Sequence, residues 1–123
     1  LQHVACSPLS RAVFGANRVK DLQGKSDDLV VNAGFTEMDR GAWCGKTKDE
    51  IGADNMASFD ACDESITPEG GESYPELKER VLKARDEILA MTDVGRATGI
   101  VSHLQVTRSV LSEAIGVPTT EMA

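Results

Sequence analysis

The stretch Thr98-Gly99-Ile100-Val101-Ser102-His103-Leu104-Gln105-Val106 decides the fold: a short apolar run passes without a turn into an amphipathic segment, Gln105 to Ile115. The run suits a strand, the following spacing suits a helix, and Gly116 with Pro118 beyond it ends that helix. A strand feeding straight into a helix is the building unit of α/β layer proteins. His103 stands at the junction, where the helix's first-turn N–H groups lack intrahelical partners and its dipole favours an anion. Ligands of α/β sheets gather beyond the carboxyl ends of the strands. Phosphate is the natural occupant of such a place.

Working outward, Gln2 to Cys6 reads as a strand closed by Ser7-Pro8, with Ser7 placed to cap a helix and Pro8 at its first position. Leu9, Val13 and Ala16 mark that helix's apolar stripe, with Ala12 and Val19 beside it, and the pattern fades between Leu22 and Gly24. Leu29 to Val31 reads as a second strand, and Asn32 to Gly45 is polar, glycine-bearing and irregular. Thr47 is expected to cap a helix starting at Lys48, weakened by Gly52. Glu64 to Gly71 reads as loop, and Ser73 with Glu76 forms a capping box ahead of the clearest helix. Leu77, Val81, Ala84, Ile88 and Met91 hold one face of it, to about Met91. Alternating strands and helices predict a three-layer α/β/α fold with a mostly parallel sheet.

The 123 residues suffice for one domain at most. The sequence starts at Leu1 within an apolar stretch and stops after a helix that ordinarily leads to another strand, so a partial domain is expected. With 13 Lys and Arg against 20 Asp and Glu, the net charge of −7 argues against a nucleic-acid partner, which requires a clustered positive field. Cys6, Cys44 and Cys62 are odd in number and form no C-x-x-C pair, which favours reduced thiols in an intracellular, cytoplasmic protein. No apolar run approaches the length of a membrane span, and a targeting peptide carried on a lost N-terminal piece stays open.

Gly45-Lys46-Thr47 invites a nucleotide-binding P-loop, but the glycine required five positions earlier is replaced by Arg40, and no strand leads into it. With His3 and His103 the only imidazoles, a His/Cys metal cluster is not expected, nor any cofactor. His3 lies inside the first strand, where a packing or edge role is favoured. Arg11, one turn into the helix after that strand, reaches the His103 edge of the sheet if the two strands are neighbours; otherwise it is a solvated arginine. Glu37, with Asp39 and Arg40 near it in sequence, reads equally as a surface carboxylate.

Taken in order, Ser7-Pro8-Leu9-Ser10-Arg11-Ala12, Glu37-Met38-Asp39-Arg40-Gly41 with Trp43-Cys44-Gly45, Gly71-Glu72-Ser73-Tyr74 and Val101-Ser102-His103 form a set. That set resembles the histidine phosphatase superfamily, in its phosphoglycerate-mutase-like branch, from about Leu1 to Pro118. The resemblance implies a metal-independent phosphomonoester hydrolase acting on a small phosphorylated metabolite of the sugar-phosphate class through a phosphohistidine. Position by position, it implies Arg11 as the phosphate-binding arginine, Glu37 as the proton donor and His103 as the second histidine, which stabilises charge on the moving phosphoryl group. These roles suit the residue types. A guanidinium orients phosphate oxygens with paired donors, a carboxylic acid can protonate a leaving alkoxide, and an imidazole can stabilise the charge in transit. Substrate contacts are expected from Ser7, from Leu104 through its backbone N–H, and from Lys46, with Lys48 a further candidate.

Two departures stand out. The family's nucleophile lies in an Arg-His-Gly motif at a strand end, and no such motif occurs here. His3 is a poor substitute: it precedes Ser7-Pro8 by four residues, where a complete βα unit takes about 30. The expected domain is therefore partial, with the nucleophile's strand and a C-terminal strand missing and residues 46–70 forming a cap or insert over the site. Leu104 also stands where many members have glycine. Glu37 to Gly45 and Gly71 to Tyr74 further resemble the fructose-2,6-bisphosphatase domain. The alternatives are mutase-type phosphoryl transfer and, with no nucleophile, a non-catalytic module binding a phosphorylated ligand.

Overall fold

Val4-Ala5-Cys6 forms the middle strand of a three-stranded parallel sheet in the computed structural model, which describes residues 1–122. Strand β1 (Val4–Cys6) pairs with β2 (Val30–Val31) on one side and β3 (Gly99–Val101) on the other, giving the order β2-β1-β3. Ala5 stands opposite Val30 and Ile100, and Cys6 opposite Val31 and Val101. The strands are shorter than the apolar runs suggested, because only their central residues pair.

Strand side chains alternate between the two faces, and this builds two cores. Val4 and Cys6 bury one face against Ala16 of helix α1 (Ser10–Leu22), with Val13, Val19 and Val101 around them. Ala5 faces the opposite way, into a larger cluster with Phe35, Leu77, Val81, Ala84, Ile88 and Val106. Four of these lie on one stripe of α4 (Tyr74–Ala90), the fifth helix-borne one on α5 (Leu104–Ile115). Helices on both faces of a parallel sheet make the three-layer α/β/α arrangement. Each large apolar side chain so buried contributes about 1.5–3 kcal/mol, offset by the entropy of ordering the chain.

Between β2 and α4 the chain is less irregular than its composition implied. Short 3-10 turns form at Ala33–Phe35 and Gly41–Trp43. The single helix expected at Lys48 is two, α2 (Lys48–Ile51) and α3 (Ala53–Asp60), because Gly52 adopts φ 95°, outside helical geometry. Met56, Phe59 and Cys62 join the α4 cluster, so residues 46–70 share the domain's main core. The capping boxes Thr47/Glu50 and Ser73/Glu76 both form. Met91 is the C-cap of α4 and is exposed, so the buried stripe stops at Ile88.

Ser7 does not cap α1. That helix starts at Ser10 with Leu9 as a cap that offers no side-chain bond. The Ser7 hydroxyl instead accepts the Leu9 N–H at 3.2 Å, a local turn that aims the chain into the helix and leaves Ser7 buried at the carboxyl end of the middle strand.

Candidate active site

The carboxyl ends of β1 and β3 bring together residues distant in sequence. Past β1 comes Ser7, and past β3 comes His103, whose Nε2 lies 2.8 Å from Ser7 Oγ. His103 is the N-cap residue of α5, yet its side chain makes no cap bond to its own helix. The imidazole bridges to the neighbouring strand's exit, and the first turn of α5 is left without a side-chain cap. Ser7 is 0% exposed and anchored by its own N–H to Val101 O at 3.1 Å, so its hydroxyl is a fixed support for the ring. Burial lowers the His103 pKa below its ordinary value; the Arg11 charge acts in the same direction, and the Glu37 carboxylate opposes both. The shift favours the neutral ring, which can donate from one nitrogen and accept at the other.

Arg11 and Glu37 line one cavity of about 560 Å³, together with Leu9, Asp39, Arg40 and Cys44. Arg11, the second residue of α1, is exposed and makes no hydrogen bond or ion pair among the described residues. The Glu37 Oε1 accepts the Met38 N–H at 2.9 Å, which turns the carboxyl back over its own loop. His103 thus feels the charges of both Arg11 and Glu37 at this pole of the sheet, although it does not itself line their cavity. Leu104 opens α5 beside them with its side chain 61% exposed. Lys46 and Lys48 are exposed and do not line this cavity; the Lys46 charge acts on Glu50. His3 lies before the amino end of β1, roughly 13 Å of extended chain from Ser7 and at the opposite pole of the sheet.

Arg80 organises the Glu37 segment, and its importance is not apparent from a motif. From α4 it forks onto Glu72, with Nη2 to Oε2 at 2.8 Å and Nε to Oε1 at 2.5 Å. Nη1 donates to the carbonyls of Gly34 and Thr36, both at 2.8 Å, and Nη2 to the Glu37 carbonyl at 3.3 Å. One guanidinium therefore ties the backbone on both sides of Glu37 to a helix. The Glu72 carboxylate also accepts the Asp39 N–H at 3.3 Å. The available sequence signal is position: Arg80 falls three residues after Leu77 and four before Ala84, bordering the buried stripe.

Glycines let the two loops meet. Gly41 has φ 47°, and a side chain at Gly71 would come within 2.7 Å of the Asp39 carbonyl. The two backbones cross in contact, joined by Ala42 N–H to Glu69 O at 2.8 Å and Glu72 N–H to Asp39 O at 2.9 Å. Among the described residues, no three His, Cys, Asp or Glu side chains cluster to hold a metal ion, and no helix is long and apolar enough to cross a membrane.

Such a site, with charged and imidazole groups gathered at the carboxyl pole of a parallel sheet between helical layers, defines the class of protein. The chain belongs to the histidine phosphatase superfamily (branch 1), whose family model matches residues 1–123. It is 34% identical over 114 residues to the Bifunctional protein Rv2228c of Mycobacterium tuberculosis, covering 91% of this chain and 30% of that one. Among solved structures it resembles Bacillus stearothermophilus YhfR, with TM-score 0.83 and 25% identity over 99% of this chain and 60% of that one. It also resembles mycobacterial glucosyl-3-phosphoglycerate phosphatase Rv2419c, with TM-score 0.80 and 22% identity over 98% of this chain and 61% of that one. The chain thus spans under a third of the curated relatives' length and about three fifths of these solved chains.

Proposed function

We propose that this chain forms part of a metal-independent phosphomonoester hydrolase for a small phosphorylated metabolite of the sugar-phosphate class. The observation that carries the reading is the convergence of Arg11, Glu37 and His103 at one pole of the sheet, Arg11 with its donors unpaired among the described residues. Arg11 holds the phosphoryl oxygens, and His103 with the uncapped first turn of α5 stabilises the charge in flight. A cavity of about 560 Å³ suits a small metabolite.

In the reaction, a histidine nitrogen attacks phosphorus and the bond from phosphorus to the substrate oxygen breaks. Glu37, in its protonated form, gives its proton to the departing alkoxide. Water then attacks the phosphohistidine, its proton passing to the Glu37 carboxylate, and inorganic phosphate leaves. The attacking histidine is neither His3, at the wrong end of β1, nor His103, which serves the phosphoryl group as charge stabiliser. A segment outside these 123 residues supplies it. The support is the open edge of β3: Ile100, 38% exposed, lines an apolar groove of about 160 Å³ with Phe35, Val106, Val110 and Leu111. A parallel strand added there would end beside His103.

The test is phosphatase assay of the full-length protein with His103→Ala and Glu37→Ala, together with acid-labile phosphate labelling. Loss of turnover in both supports the roles; undiminished turnover in both overturns them. A phosphate-binding module without turnover is the second reading, favoured by one observation: no second histidine reaches the pole among the described residues. It takes over if the full-length protein binds inorganic phosphate but hydrolyses no phosphomonoester.

A further inference from the structure

Arg40 shares the cavity wall with Arg11, and no motif assigns it a task. Its guanidinium carbon lies 4.7 Å above the centroid of the Phe59 ring. That ring is no loose surface group. Phe59 is 2% exposed, stands edge-on to Trp43 at 5.8 Å, and lies 5.9 Å from Tyr74, whose hydroxyl donates to the Phe59 carbonyl at 2.8 Å. The loop beneath Arg40 is equally fixed: its carbonyl accepts the Trp43 N–H at 2.9 Å, and Gly41 is wedged against the Gly70-Gly71 backbone. The guanidinium is therefore held in place by an aromatic face.

An arginine stacked this way keeps its in-plane N–H donors for another partner, and Arg40 makes no hydrogen bond or ion pair among the described residues. The nearest acid in sequence is not its partner. Asp39 turns its carboxylate to the Gly41 N–H at 2.8 Å, closing its own loop. The cavity is thus lined by two arginines, neither with a hydrogen bond or ion pair among the described residues, in a chain whose net charge is −7. One satisfies a phosphoryl group; a substrate with a single anionic group leaves the second facing solvent.

The geometry points to Arg40 as a specificity-determining residue that selects substrates carrying a second anionic group, carboxylate or phosphate, besides the phosphoryl taken by Arg11. This inference rests on the hydrolase reading for the place of the phosphoryl group. It also moves the expected second contact from Lys46, which lies outside the cavity, to Arg40. The Phe59 platform fixes the direction of approach, so recognition is by the guanidinium's paired donors as well as its charge.

The test measures binding, so that it stands apart from turnover. Calorimetric titration of the full-length protein compares ω-carboxyalkyl phosphates of two, three and four carbons with alkyl phosphates of the same length. The wild type is expected to bind at least one carboxylated member about 10-fold or more tighter than its alkyl counterpart, as a charge-assisted hydrogen bond implies. Arg40→Gln should bring that ratio to about 1 while leaving alkyl phosphate binding within about 3-fold, and Arg40→Lys should retain part of the preference. A wild type with no preference, or an Arg40→Gln variant that keeps it, overturns the inference. Failure of all these phosphates to bind overturns it too, whereas p-nitrophenyl phosphate turnover separately decides the hydrolase reading.

Discussion

Arg80 and Arg11 carry the same group on helices packed against opposite faces of one sheet, and the molecule uses them in opposite ways. The Arg80 guanidinium is saturated: a two-point fork to Glu72 and three backbone carbonyls consume its donors. Arg11 faces the cavity with none of its donors used among the described residues. A saturated arginine is a structural tie, whose removal leaves carbonyls and a carboxylate without partners. An unsaturated one beside a cavity is a tie waiting for its ligand. The difference explains how one site can be both rigid and open, since the Glu37 loop is held from behind by Arg80 and addressed from the front by Arg11.

The largest effect that sharpens this contrast is expected from Arg11→Met in the full-length protein. Removing a guanidinium that meets the phosphoryl group should lower kcat/KM by about 100- to 1,000-fold, the scale seen for a lost oxyanion donor. Folding stability should change by less than about 0.5 kcal/mol, because no partner is orphaned. Steady-state kinetics beside urea unfolding separate the two quantities. A large loss of stability in Arg11→Met would erase the distinction.

Arg80→Met is the converse experiment and the next in size. Breaking a fully buried ion pair costs about 3–5 kcal/mol, but the Arg80 and Glu72 side chains are 29% and 15% exposed and partly screened, so about 2 kcal/mol is expected. The urea midpoint reads it. Turnover should also fall, by about 10-fold, because the backbone on both sides of Glu37 is released. Arg80→Lys should restore little, since an ammonium cannot reproduce the fork to Glu72 and reach three carbonyls together.

Sequence made some of this contrast legible and hid the rest. His103 stood out as a strand-to-helix junction, whereas Arg11 stood out only through the resemblance, its own position reading equally as a solvated arginine; the sheet's parallel order places the strand exits that lead to both at one pole. The Ser73/Glu76 capping box and the Thr47 cap were readable because they are local, satisfied within four residues. Arg80 was not, since its partners lie 8 to 46 residues away and mostly offer backbone carbonyls, which carry no signature in side-chain identity. Ser7 was half legible. Its type and place suggested a helix cap, but burial at the strand exit gave the hydroxyl a better use against His103. The split of the helix at Gly52 follows from a backbone angle that glycine permits and does not compel.

Ser7→Ala probes the support on which His103 rests and should have a moderate effect. The hydroxyl contributes about 1 kcal/mol, as a typical hydrogen bond does, and its loss leaves the Leu9 N–H and the imidazole nitrogen without their partner. A fall in kcat of about 5- to 10-fold is expected, with Ser7→Thr recovering part of it if the added methyl fits the buried pocket. Unchanged kcat in Ser7→Ala would mean that the ring is held elsewhere.

The smallest effect is the titration of His103, and it tests the comparison through the field of Arg11. In the folded chain the ring titrates below the ordinary 6.5, chiefly through burial and then through Arg11, with Glu37 pulling upward. The unfolded chain therefore binds more protons between the two values, and stability rises with pH across that window. The contribution is present above the ordinary imidazole value and is lost as pH falls through the depressed one. Ring-proton NMR of the full-length protein, with His103→Asn identifying the resonance, should show Arg11→Met moving the titration up only partway, since burial remains the larger cause. Glu37→Gln should move it further down. Inorganic phosphate should raise it, because an anion seated between Arg11 and the ring favours the imidazolium. An arginine already paired within the protein would give no such response: Arg80→Met should leave the His103 titration nearly in place, apart from what the loosened Glu37 loop passes on.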